Sequence, residues 1–174
     1  MRKSFLEFKK FLDGIDVKNK SQRRNQTYAG KAVKSGAVMF GEFKGYEAWY
    51  VPSYQASVQL GRFYGGSSTN WCISTDNPKY FENDYAGITF IFLINQNLPA
   101  ENALRKLAIE VDEYERSPIM IWNSDNEELY DSGMDIDESI LSVCNSAIDF
   151  FCDNAESIRD KSDRSGYHQR AKRA

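Results

Sequence analysis

Apolar residues recur with helical spacing in three parts of the chain. The clearest stripe lies in residues 136–158 and predicts a long helix; its members are Ile140, Cys144, Ala147, Ile148, Phe151, Ala155 and Ile158. Residues 53–64 predict a shorter helix that begins at Ser53, a residue type favoured at helix N-caps. Residues 4–12 predict a third helix, which we expect to end at Gly14.

Short β-branched and aromatic runs predict the strands. The most apolar run, residues 88–94, indicates a central strand buried on both faces. The other predicted strands are 37–40, 47–51, 69–75, 105–111, 118–122 and a short one around Leu129 and Tyr130. Gly41 and Gly45 are expected in the turn between the first two strands.

This order of elements predicts an α+β fold. Short turns between consecutive strands favour an antiparallel sheet, here of about five to six strands. The sheet should pack against an N-terminal helix, a middle helix and a long C-terminal helix, with the helices covering one face.

The 174-residue length fits one domain, which we place at residues 1–158. Within it, residues 1–14 hold the N-terminal helix, and residues 16–36 form a basic connecting segment, either a solvated helix or a loop. Residues 159–174 are basic and polar and predict a disordered tail.

Composition narrows the class of protein. Aromatic residues make up 14% of the chain, which argues against general disorder, and the net charge of −3 makes direct nucleic-acid binding unlikely. No apolar run is long enough to span a membrane, and the N-terminus lacks the apolar core of a secretory signal. Three cysteines at wide spacing favour a reducing compartment.

Metal and cysteine chemistry have little support in the sequence. The one histidine, His168, lies in the basic tail, so no zinc set is present, and the acidic residues after Asp125 do not follow a calcium-loop register. Cys72 is a weak candidate for a nucleophile because it needs a base to form thiolate; the alternative is a small core residue beside Trp71. We expect neither a metal nor a cofactor.

A glycine-rich stretch joins the middle helix to the sheet and is the candidate ligand site. Backbone N–H groups and hydroxyls in such a stretch can hold an anion, although the lysine and helix of a P-loop are missing. The candidate ligand-binding residues are Gly65, Gly66, Ser67, Ser68, Thr69 and Trp71. The alternative is a tight helix-to-strand turn with no ligand.

A second pattern suggests an enzyme. Arg23 and Arg24, then Ser67–Thr69, then Glu113-Tyr114-Glu115 resemble the Arg, Ser-Thr-Ser and Glu-x-Glu order of arginine-specific ADP-ribosyltransferases. That resemblance implies NAD as the substrate, with Glu115 as the residue that carries the transfer. A charged turn at residues 113–116 is the alternative.

The stretch Tyr64-Gly65-Gly66-Ser67-Ser68-Thr69-Asn70-Trp71-Cys72, followed by Phe81, Tyr85 and an apolar strand, resembles a family of small tailed-phage proteins with a Tyr-Gly-x-x-Thr-x-Trp-Cys motif. The resemblance covers roughly residues 50–125. Two departures are visible: a single residue separates Tyr85 from Gly87, and Asn70 stands where a lysine is common. The opening at Ser4–Leu12 is similar to leaders on phage internal proteins.

The phage resemblance implies a location in the host cell cytoplasm and supplies no activity. The leading hypothesis is a phage accessory protein that binds, and thereby inhibits, a host or anti-phage defence protein. Acidic and aromatic side chains form the candidate partner surface: Tyr80, Phe81, Tyr85, Asp125, Glu127, Glu128, Asp131 and Asp135. The alternatives are the ADP-ribosyltransferase-like enzyme, a nucleotide-binding protein centred on Gly65–Cys72, and a packaged virion protein.

Overall fold

The computed structural model describes residues 5–66, 71–74, 77–131 and 136–170. Its core is a six-stranded antiparallel sheet in which every strand pairs with its neighbours in the sequence. The strands are β1 Val38–Phe43, β2 Tyr46–Tyr50, β3 Thr89–Ile94, β4 Lys106–Asp112, β5 Ser117–Trp122 and β6 Glu128–Asp131. This confirms the predicted antiparallel α+β fold.

Three helices pack on the sheet, as predicted. They are α1 Phe5–Lys34, α2 Tyr54–Ser57 and α3 Glu138–Arg170. Helix α2 begins at Ser53, whose Oγ accepts a hydrogen bond from the N–H of Ala56 at 3.2 Å, and continues as a wider π-helix over Val58–Phe63. The Ser53 N-cap is therefore confirmed.

The helices lie on both faces of the sheet, so the prediction that they cover one face was wrong. On the first face, Ile91, Leu93 and Ile109 pack against α3. On the second face, Phe90 and Phe92 pack against the segment that contains α2 and Trp71. Strand β3 alternates between these two cores and is buried on both sides, as its apolar run predicted.

Both terminal helices are longer than expected. Helix α1 passes through Gly14, because an exposed glycine weakens a helix by only about 1 kcal/mol and no proline follows it. The basic segment 16–36 is therefore mostly helical. Helix α3 continues to Arg170, and Ser162 is buried beside Gly36, so the prediction of a disordered tail was wrong for residues 159–170.

One further local prediction fails, and the predicted turn between the first two strands is confirmed for Gly45 but not for Gly41. The strand expected at 69–75 is a 3₁₀ turn over Cys72–Ser74, because Trp71 turns into the core instead of joining the sheet. Strand β1 passes through Gly41 with a bulge, and the turn that follows it is made by Lys44 and Gly45, both with positive φ.

Phe151 and Phe150 are neighbours on α3, but one is buried and the other is exposed. This pair tests which residues of α3 belong to the first core. Phe151 is fully buried against Phe40 and Tyr50, whereas Phe150 is 42% exposed. We expect Phe151→Ala to lower the free energy of unfolding by about 3–5 kcal/mol, because it leaves a cavity. Phe150→Ala should cost about 1 kcal/mol. Equal losses in urea unfolding would contradict the assignment of the core.

Candidate functional site

The glycine-rich stretch lies over a buried lysine. Gly65 has φ of +82°, and a Cβ there would lie 3.3 Å from Lys106 Cε and 3.4 Å from Ile94 Cγ2. The backbone therefore crosses close to β3 and β4, where a larger residue would be strained. Gly66 ends the 3₁₀ turn Tyr64–Gly66. The predicted ligand residues Ser67, Ser68 and Thr69 lie outside the described residues.

Lys106 is a functional-site candidate that sequence reasoning missed. Its side chain is fully buried, and Nζ donates a hydrogen bond to the carbonyl oxygen of Gly61 at 3.1 Å. Burial, together with the charge of Arg105, lowers the pKa of Lys106 to about 7. The sequence could have indicated its burial, because alternate residues of a strand face the same side, and Lys106, Ala108 and Glu110 therefore share the second face of β4.

A polar cluster beside the glycine-rich stretch joins α1 to the sheet. Asn25 Nδ2 donates to Gln96 Oε1 at 2.7 Å, and Gln96 Nε2 donates to Glu47 Oε1 at 2.8 Å. Tyr64 Oη donates to Glu47 Oε2 at 2.5 Å. Burial, and then Glu47, raise the pKa of Tyr64, so its phenol stays a neutral donor. The cluster therefore fixes the position of α1 relative to the sheet.

Trp71 lies in the core. It is 1% exposed, its Nε1 donates to the carbonyl oxygen of Asn123 at 2.5 Å, and its ring centroid lies 4.8 Å from that of Phe92. A ring this deeply buried is not open to a ligand from solution. The structure thus gives Trp71 the role of an anchor between the glycine-rich stretch and the sheet.

Cys72 lies beside a phenol. Its Sγ is 3.7 Å from Tyr85 Oη, and both residues line a small cavity of about 10 Å³, room for one water at most. Burial, followed by the interaction with Cys72, raises the pKa of Tyr85 to about 12. Tyr85 is therefore not a base that would activate the Cys72 thiol at neutral pH.

The Arg and Glu-x-Glu parts of the ADP-ribosyltransferase pattern lie apart, and Ser67–Thr69 lie outside the described residues. Glu113 accepts hydrogen bonds from Thr89 and Arg159. Arg23 and Arg24 lie on α1 near Asn25, which contacts Gln96. Thr89 and Gln96 lie at opposite ends of β3, roughly 20 Å apart at the rise of an extended strand.

The two glutamates of the Glu-x-Glu differ in environment. Burial alone would raise the pKa of Glu113, but hydrogen bonds from Thr89 and Arg159 hold that pKa below its usual value. Glu115 is exposed in the turn between β4 and β5. Glu113 therefore acts as the fixed partner of Arg159.

An open cleft of about 530 Å³ lies at the Thr89 end of the sheet. Its walls come from Tyr50–Gln55, from residues between Phe81 and Thr89, and from Arg159 on α3. Arg159 Nη2 contacts Glu113 and Thr89, and the guanidinium lies 5.5 Å from the centroid of Phe151. The cleft was missed by sequence reasoning because its walls are far apart in the chain.

The predicted partner surface divides between exposed and packed residues. Asp125, Glu127 and Glu128 are exposed in and beside the turn between β5 and β6, and Tyr80 is 42% exposed. Phe81 and Tyr85 pack on Phe90, with ring centroids 5.7 and 5.5 Å away. Asp131 ends β6, its side chain not being described, and Asp135 lies outside the described residues.

The acidic turn and the aromatic segment are neighbours. Asn126, in the middle of the turn, lines the same small cavity as Tyr85 and Cys72. Two segments about forty residues apart in the chain therefore approach each other at Tyr85 and Asn126. We call the following residues of these two segments the acidic–aromatic surface: Tyr80, Tyr85, Asp125, Glu127 and Glu128.

Comparisons of the chain with protein-family models, curated proteins and solved structures found no match. The phage resemblance therefore stays a prediction. Among the described residues, no group of histidine, cysteine, aspartate and glutamate side chains could hold a metal ion. The helices in the same part of the chain are not long and apolar enough to cross a bilayer.

Gly61 gives a test of the close packing under the glycine-rich stretch. A Cβ at Gly61 would overlap Ser74 Oγ and lie 3.2 Å from the Trp71 ring. We expect Gly61→Ala to lower the free energy of unfolding by about 1–3 kcal/mol. Gly30→Ala is the control, because Gly30 lies in α1 with open space around it and should gain about 0.5–1 kcal/mol. A gain in both variants would contradict the packing.

The buried lysine predicts a pH dependence of stability. Unfolded Lys106 keeps its proton up to a pKa of about 10.4, whereas the folded group loses it near 7. The unfolded state binds more protons between these values, so this group makes stability rise with pH, by up to about 1.4 kcal/mol per pH unit.

We expect Lys106→Met to remove this rise in urea unfolding measured from pH 7 to about 10. Lys161→Met is the control, because Lys161 is exposed on α3, and it should keep the wild-type slope. Parallel curves for the wild type and Lys106→Met would show that burial does not perturb this group.

Proposed function

We propose that this protein acts by binding a partner protein with a basic surface, and that it has no catalytic activity of its own. From the phage resemblance we infer that the partner is a host or defence protein in the infected cell and that binding inhibits it. The observation that carries the proposal is the meeting of the acidic turn and the aromatic segment at the acidic–aromatic surface.

The charge of this surface suits a basic partner. Asp125, Glu127 and Glu128 are exposed within four residues of one another. Glu127 Oε2 also accepts a hydrogen bond from Asn123 Nδ2 at 2.8 Å, which helps hold the turn in shape. Complementary charge raises association rates and selects among partners.

The aromatic side chains supply the apolar part of the contact. Tyr80 is exposed on the π-helix Tyr80–Asp84, and this segment is anchored because Phe81 packs on Phe90. Tyrosine is enriched among the residues that dominate binding energy, because it buries a large rigid surface and keeps a polar tip. A rigidly held tyrosine beside a charged turn fits that pattern.

The geometry gives less support to the enzyme reading. Arg23 and Arg24 are close in the chain to Asn25, which contacts Gln96 just beyond one end of β3, whereas Glu113 contacts Thr89 at the other end. Cys72 contacts a phenol with a raised pKa. At the two ends of the predicted ligand stretch, Gly65 lies against a buried lysine and Trp71 lies in the core. These contacts favour a structural role for Gly65 and Trp71.

The test is affinity capture from lysate of the infected host, with variants of the surface. We expect a stoichiometric partner whose binding weakens at high salt and falls at least about tenfold in Asp125→Asn/Glu128→Gln and in Tyr80→Ala. The matched control is Glu156→Gln/Asp160→Asn, which removes two exposed carboxylates from α3 on the other face of the sheet. A partner retained equally by all variants would place the contact elsewhere.

A further inference from the structure

The cleft at the Thr89 end of the sheet has the size of a small-molecule site. Its volume of about 530 Å³ lies within the range of roughly 300–1,000 Å³ that ligand pockets occupy. Tyr54, Phe81 and Tyr85 line it with aromatic surface, and Ser53 and Thr89 add hydroxyls. The lining is more polar than apolar, so its hydroxyls and charged side chains select the ligand, and the aromatic rings supply the apolar contact.

Arg159 is the one cation among the described residues that line the cleft. Its side chain is 40% exposed, so the guanidinium is open to a ligand. The contacts with Glu113 and Thr89 both use Nη2, and Tyr50 contributes one more hydrogen bond. A guanidinium has five N–H donors in a planar fork, so donors are left for an anion.

The partners of Arg159 also fix its orientation. Glu113 and Thr89 hold Nη2 from the sheet, and the ring of Phe151 lies against the guanidinium on the α3 side. A group held in this way loses little conformational entropy when a ligand binds. Its charge is partly offset by Glu113, and the exposed Glu82, which also lines the cleft, disfavours ligands with several anionic groups.

From these contacts we propose that the cleft binds a small molecule that has an aromatic ring and one anionic group, either a phosphate or a carboxylate. The ring lies among Tyr54, Phe81 and Tyr85, and the anionic group pairs with Arg159. The cleft shares Tyr85 with the acidic–aromatic surface but none of its carboxylates, and it lies at the other end of β3 from Gly65.

The test measures binding of two anionic probes and their neutral counterparts by calorimetry. Adenosine monophosphate is compared with adenosine, and indole-3-acetate with indole-3-acetamide. We expect at least one anionic probe to bind, at least about tenfold more tightly than its neutral counterpart, because a charged hydrogen-bonded pair is lost in the latter. The probe that binds shows whether phosphate or carboxylate is the anion. Neither anionic probe binding at about 10 mM would overturn the proposal, as would equal affinities within both pairs.

Variants locate the site. Arg159→Gln should weaken the anionic probe at least about tenfold, and Arg159→Lys should weaken it less because the charge remains. Arg116→Gln is the matched control. Like Arg159, Arg116 forms ion pairs with carboxylates, here Asp149 and Asp153, but it does not line the cleft. An unchanged affinity in Arg159→Gln would overturn the proposal.

A measurement on the unmodified protein keeps the proposal testable if Arg159→Gln does not fold. The backbone amides of Ala86 and Gly87 line the cleft, so their NMR signals should shift when the anionic probe is added. The Gly30 amide, in open space on α1, serves as the reference. Shifts confined to residues outside the cleft would overturn the proposal.

Discussion

Burial of β3 on both faces is the constraint on which the rest of this structure depends. Phe90, Phe92 and Ile94 point to one side of the strand, and Ile91 and Leu93 point to the other. A strand of this kind is stable only if each face is covered by other elements, because an exposed face would leave large apolar side chains in water. Helix α3 covers the first face, and the second face is covered by α2, the Trp71 turn and part of α1.

The two faces of the sheet differ in the polar side chains that they bury. The first core contains the phenol of Tyr46, whose Oη donates to the carbonyl oxygen of Leu104, whereas the ionisable Lys106 and Glu110 are buried on the second face. Burial of an ionisable group is costly unless it is hydrogen-bonded, and Lys106 meets this need through the carbonyl of Gly61. The irregular backbone between β2 and β3 thus supplies the hydrogen-bond acceptor for the buried lysine of the sheet.

The elements predicted from sequence are those whose pattern is local. The strand at 88–94 and the helix from 136 follow directly from the period of their apolar residues, and the Ser53 N-cap follows from the chemistry of one side chain. The length of α3 depended instead on a distant contact, the close approach of Ser162 to Gly36. Trp71 looked like a strand residue because tryptophan is common in strands, but its hydrogen bond to Asn123 pulls it into the core.

The candidate sites likewise divide into those with a local sequence pattern and those formed by residues that are distant in the chain. The acidic turn and the aromatic segment could each be recognised from sequence, since both are contiguous. The cleft could not, because Tyr54, Phe81 and Arg159 meet only after the sheet has formed and α3 has packed on it. The sequence also does not show that Glu113 forms an ion pair with Arg159. This contact favours a structural role for Glu113 over a catalytic one.

The connection between β2 and β3 is much longer than the other strand connections, and its length affects which sequence changes the fold tolerates. Residues 51–88 lie between two strands that pair directly, from Glu47 opposite Ile94 to Tyr50 opposite Ile91. The entropy of closing a loop grows only slowly with its length, so the pairing tolerates insertions and replacements there. The sheet and α3 form a scaffold, and this one segment contributes walls to both proposed surfaces. Related chains could therefore diverge in what they bind by exchanging residues 51–88 while the sheet stays the same.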